Sequence, residues 1–103
     1  MEIWKKIQDI DYYISNYGNF KQKINDEEKL IDGWIDKYGY RLVSYYLDKT
    51  RKREFVHRLV ASYFVDKLDP DFNIVNHIDG NKTNSHYSNL ECMFKERWQT
   101  KKL

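Results

Sequence analysis

Cysteine is almost missing from this 103-residue chain, where Cys92 stands alone. A single thiol excludes an intramolecular disulfide and a thiolate metal cage, so the expected setting is intracellular and cytoplasmic. Proline is equally scarce, with Pro70 the only one. Long hydrophobic runs are absent too: no stretch approaches the ~20 apolar residues that span a bilayer, and Met1-Glu2-Ile3 begins no signal peptide. A surplus of one charge is also lacking. Eighteen basic and sixteen acidic side chains leave a net charge of +2, which argues only weakly for a polyanionic partner.

The small imbalance is unevenly spread. Residues 1–50 carry eight basic and nine acidic groups, net −1, whereas residues 51–103 carry ten and seven, net +3. Arg51-Lys52-Arg53 and the tail (Lys95, Arg97, Lys101, Lys102) form the basic clusters. Such clusters read either as phosphate contacts or as solvated surface, and Arg58 shares both readings. Aromatic residues are plentiful at 17%, with nine Tyr among them. That apolar content specifies a globular chain, either one domain or two small modules sharing a core.

The first half has strand character. Tyr12-Tyr13-Ile14-Ser15 and Phe20-Lys21-Gln22-Lys23 flank a turn at Tyr17-Gly18-Asn19, which is a hairpin signal. Asp26-Glu27-Glu28 reads as an acidic loop. Trp34-Ile35 and Tyr38-Gly39-Tyr40 lead into a strong strand at Arg41–Leu47, then a polar turn over Asp48–Lys52 and a returning strand from Arg53. The expectation is one small β-meander. Val56, Leu59, Val60, Tyr63 and Phe64 then fall at helical spacing, predicting a helix over Val56–Lys67 that ends before Asp69-Pro70.

Most of the chemistry is concentrated between Ile74 and Phe94. Ile74-Val75 begins a short strand that carries Asn76, His77 and Asp79 at its end. A polar loop rich in Gly, Asn and Ser follows, then a second strand at Leu90–Phe94 and a helix over Lys95–Leu103. His57 opens the central helix, where packing or capping explains it. His86 reads as surface, Asp79-Gly80 as a tight turn or an outer-sphere ligand, and Cys92 as a small buried hydrophobe.

Two stretches resemble a known family. Glu2-x-Trp4-Lys5-x-Ile7 with Tyr13-x-Ser15-Asn16-x-Gly18-x-Phe20-Lys21 looks like the nuclease-associated modular domain of phage and intron HNH homing endonucleases. Val56-His57-Arg58-Leu59-Val60-Ala61, then Val75-Asn76-His77-Ile78-Asp79-Gly80-Asn81-Lys82-x-Asn84 and Ser88-Asn89-Leu90-Glu91, is similar to that family's HNH nuclease domain. The resemblance implies an α+β fold. Residues 1–55 would form the modular β domain and residues 56–103 a ββα-metal domain entered through the linking helix.

It also implies DNA hydrolysis or nicking. His77 matches the general base, Asn89 the middle Asn that orients the His loop, and Asn76 a metal-ligand position whose neutral carbonyl can bind Mg²⁺ or Mn²⁺. Arg51, Lys52, Arg53, Arg58 and Lys82 are the expected contacts to double-stranded DNA. The last motif element departs from the family pattern. Cys92 replaces a Trp, Phe94 replaces a Thr, Ser85 replaces the second Asn of a pair, and Trp98 stands at the second ligand position. An indole is only an N–H donor and cannot ligate a cation. The extended DNA-binding helices of longer homing enzymes are also expected to be missing. The departures open an alternative: an inactive scaffold, with no cofactor, that binds a host defence protein through Phe94 and Trp98. A homodimer is compatible with either reading.

Overall fold

The computed structural model describes residues 1–66 and 74–93. The strands are β1 (Trp4–Lys6), β2 (Tyr12–Ser15), β3 (Phe20–Ile24), β4 (Glu27–Leu30), β5 (Trp34–Ile35), β6 (Arg41–Leu47) and β7 (Thr50–Phe55). Helix α1 (Val56–Phe64) follows, then β8 (Ile74–His77), a 3₁₀ turn (Tyr87–Asn89) and β9 (Leu90–Met93). All pairings are antiparallel. The expected single meander is in fact two sheets, β1-β2-β3-β4 and β5-β6-β7, with β8-β9 as a separate hairpin.

Local chemistry sets the turns. Gly18, at φ +85°, closes the β2–β3 hairpin, and the Ser15 hydroxyl accepts from the Tyr17 and Asn19 amides. The acidic loop expected at Asp26–Glu28 is narrower. Asn25 (φ +57°) and Asp26 alone make the turn, while Glu27 and Glu28 enter β4, where Glu28 pairs with Lys21 at 3.1 Å. The polar turn expected over Asp48–Lys52 is likewise only Asp48-Lys49, both in the left-handed region that a two-residue hairpin loop requires. Arg51 and Lys52 therefore belong to β7.

Helix α1 starts directly after β7 and buries Val56, His57, Leu59, Val60 and Ala61. It stops at Phe64, short of the expected Lys67, because Val65 is already extended. Lys5 Nζ donates to the Tyr63 carbonyl at 2.6 Å and lies 4.8 Å from the Phe64 ring centroid, so a strand-borne cation satisfies the helix's open end. Lys67, Asp69, Pro70, Phe94, Trp98 and the tail helix expected over Lys95–Leu103 lie outside the described residues.

One core runs through these pieces. Ile7, just past β1, and Ile14 and Phe20 from the first sheet meet Val43 and Tyr45 from the second, Val56, Leu59 and Val60 from α1, and Leu90 from β9. Tyr12, Phe20 and Tyr45 pack their rings at centroid distances of 5.6–6.0 Å. Arg41 ties the two sheets together, donating to the carbonyls of Gly18, Ile31 and Asp32.

Candidate nuclease site

The β8–β9 hairpin pairs Asn76 with Glu91 and His77 with Leu90. Between the strands, the loop from Ile78 to Ser88 has little regular structure, yet its hydrogen bonds are organised around two side chains. Asn89 is buried and uses both ends of its amide. Its Oδ1 accepts from the Asp79 amide at 3.0 Å, and its Nδ2 donates to Asp79 Oδ1 and to the Asn84 carbonyl at 2.9 and 3.0 Å. Asp79 also accepts from the Asn81 amide at 2.7 Å and from Asn84 Nδ2 at 2.9 Å. These bonds, the one from Asn84 foremost, hold its carboxyl below the usual range, so Asp79 stays an anion. Asp79 is thus the hub of the loop, a role that a tight-turn reading understates.

The loop is also docked on the first sheet. The Tyr87 amide donates to the Asn16 carbonyl at 2.8 Å, and Gly18 lies so close to Ser85 that a Cβ at residue 18 would come within 2.9 Å of the Ser85 Cβ. His86 is half-buried, contrary to the expected exposure. It stacks between Tyr17 and Tyr87 at 4.8 and 5.0 Å, and its Nδ1 accepts from the Ser88 amide. The Tyr17 and Tyr87 faces and this amide bond give a loop histidine a reason to be covered.

His77 sits at the loop's mouth, 8% exposed. Its ring lies 4.8 Å from that of His57 and 5.9 Å from that of Tyr40. His57 is stacked on Tyr40 at 5.1 Å and packed beside Phe55 at 5.5 Å. Burial is the main force pushing His77 down from its ordinary value, with Lys82 adding to it and Asp79 opposing it. His57 is pushed down to about 4, first by burial, then by His77 and Arg58. Both rings are therefore neutral at pH 7. Of packing and capping, the two roles expected of His57, it takes the first, and the helix has no side-chain cap bond. Its neighbour His77 was not expected. The spacing held a clue, since His57 shares its helical face with Val60, Ala61 and Phe64.

Asn76 Nδ2 donates to Glu91 Oε1 at 3.0 Å, which leaves the Asn76 carbonyl oxygen available as a neutral donor to a hard cation. As a test of metal fit, that is one suitable oxygen. No cluster of three or more His, Cys, Asp or Glu side chains that could hold a metal occurs among the described residues. The second ligand position, Trp98, falls outside them.

The basic residues separate into groups. Arg51, Lys52 and Arg53 are exposed along β7, and Arg51 and Arg53 share a shallow cleft with Trp34. Arg58 is exposed on α1 beside the Phe55 ring and lines a cleft of about 200 Å³ with Tyr40, His57 and Val75. Lys82 is exposed but bound within the chain. Its Nζ donates to the Tyr38 carbonyl at 2.9 Å and lies 4.9 Å from the Tyr40 ring centroid, pinning the loop to the second sheet.

Residues 54–97 match the HNH endonuclease family, and residues 2–46 match the NUMOD4 motif. The chain belongs to the HNH homing endonuclease family. An uncharacterised HNH endonuclease of Acanthamoeba polyphaga mimivirus is 44% identical over 85% of this chain and 26% of its own length. The DNA endonuclease I-HmuI of Bacillus phage SP01 is 32% identical over 97% of this chain and 53% of its own. A solved structure of I-HmuI, described as showing DNA binding and cleavage by that HNH homing endonuclease, superposes with a TM-score of 0.85 at 29% identity, covering 97% of this chain and 57% of that one. This HNH chain thus spans about a quarter to about half of the curated relatives named here. HNH endonucleases generally use a divalent metal. No described helix is long and apolar enough to cross a membrane.

Proposed function

We propose that this chain hydrolyses or nicks DNA, with His77 as general base and Asn89 as the residue that holds the His loop in place. The observation that carries this reading is the buried Asn89–Asp79 double hydrogen bond, which fixes the loop beginning immediately after His77. Burial keeps His77 below its ordinary 6.5, so its imidazole is neutral at pH 7 and able to take a proton from a water attacking phosphorus. Asn76 would contribute one oxygen to a Mg²⁺ or Mn²⁺ ion, which when bound would stabilise the charge developing on the phosphate and leaving oxygen. Exposed Arg51, Lys52, Arg53 and Arg58 suit phosphate contacts on double-stranded DNA, with Lys82 holding the loop in register. Residues 1–55 would then serve mainly to grip DNA, and residues 56–103 to cleave it.

Nicking of supercoiled plasmid with Mg²⁺ or Mn²⁺ tests the reading. Wild-type protein should nick, and His77→Ala should lose about 10²–10⁴-fold, the usual worth of a positioned base. The rate should rise with pH through a value below 6.5 and level off above it. Equal nicking by the two proteins, or none by either, would overturn the assignment.

A further inference from the structure

Among the described side chains, two stranded nitrogens belong to neighbouring rings. His57 Nδ1 and His77 Nε2 are both buried without a hydrogen-bond partner, and the ring centroids are 4.8 Å apart at an interplanar angle of 54°. Buried polar atoms are seldom left unpaired, because desolvation without a partner is costly. A neutral imidazole has one donor nitrogen and one acceptor nitrogen, so two such rings can satisfy each other only if the proton sits on one side of the pair.

We propose that His57 is a positioning residue for His77, with His77 Nε2–H donating to His57 Nδ1 so that the Nδ1 lone pair of His77 is left free to accept a proton. Ring centroids 4.8 Å apart are close enough for an N–H···N hydrogen bond once the two nitrogens face each other. His57 suits the acceptor role. It is rigidly placed on α1, clamped by Tyr40 and Phe55, and neutral at pH 7. Its own proton then resides on Nε2, the ring nitrogen that is not stranded. The opposite arrangement, with His57 donating, would direct the His77 lone pair inward and make His77 useless as an outward-facing base. The importance of the pairing for catalysis rests on the nuclease reading above, but the pairing itself does not.

Long-range ¹H–¹⁵N correlation of the histidine rings at pH 7.5 reads the tautomers directly, whether or not the protein cleaves DNA. In the wild type, His77 should be a single Nε2–H tautomer. His57→Leu, similar in shape to Asn but without an acceptor, should convert His77 to a mixture. His57→Asn, whose Oδ1 lies near the lost Nδ1, should restore the single tautomer. If His57→Leu fails to fold, His57→Phe, which keeps a packed ring, takes its place. An Nδ1–H tautomer in the wild type, or an unchanged one in the Leu or Phe variant, overturns the proposal. In the nicking assay, kcat should fall in the Leu variant with KM unchanged and recover in the Asn variant. A wild type that shows the expected tautomer but does not nick would refute the nuclease reading alone.

Discussion

Acid should unfold this protein in part through His57. The folded chain holds this imidazole at about 4, against its ordinary 6.5, because burial, His77 and Arg58 oppose its charge. Between those values the unfolded chain binds a proton that the folded chain refuses, so stability falls as pH drops through 6.5 and the loss is nearly complete below about 4. Going from pH 7 to pH 4.5, the linkage relation gives a loss of about 2.4 kcal/mol from this one residue. That is a shift of about 1–2 M in the urea midpoint for a chain of this size. Urea titrations at both pH values, on the wild type and on His57→Leu, isolate the effect. Carboxylates with lowered values, such as Asp79, contribute their own acid sensitivity to both proteins and cancel in the difference. The wild type should lose about 2 kcal/mol more than the variant. Equal losses would show that the folded chain can accommodate a charged His57, and the reasoning from burial would fail.

Asn89→Ala removes one acceptor and two donor bonds from a buried loop anchor and leaves the Asp79 amide without its partner, so a loss of about 2–4 kcal/mol is expected in urea melts, together with loss of nicking. Gly18→Ala combines a φ of +85° with a Cβ placed 2.9 Å from the Ser85 Cβ, and should cost more than the ~1 kcal/mol of left-handed strain alone. Adding Ser85→Gly should recover part of that excess. A double-mutant cycle with no coupling would place the two residues out of contact.

Much of the architecture could be read along the chain. The Gly18 hairpin, the β6 run and the apolar stripe of α1 are local patterns with periods of about two and 3.6 residues, and each formed where its period predicted. Boundaries moved where a partner elsewhere decided them. Glu27 and Glu28 became strand because β3 offered Lys21 and the Asn25-Asp26 turn was tight enough to reach it. Helix α1 closed at Phe64, with Lys5 from β1 donating to the Tyr63 carbonyl. One meander became two sheets, and what holds them together is a contact between separate segments, the three carbonyls gathered by Arg41.

The sequence by itself determined the residue types of the site: Asn76 and His77 at a strand end, Asn89 before the next strand, and a glycine at position 18 where only a left-handed turn would serve. These follow from motif and local geometry, which depend on neighbours a few positions away. Only the tertiary structure decided what each side chain faces. It brought His57 and Tyr40 against His77, made Asp79 the hub of the loop, covered His86 with two tyrosines and tied Lys82 to the Tyr38 carbonyl. Burial and hydrogen-bond partners are properties of segments far apart in sequence, and burial is what keeps His57 and His77 neutral.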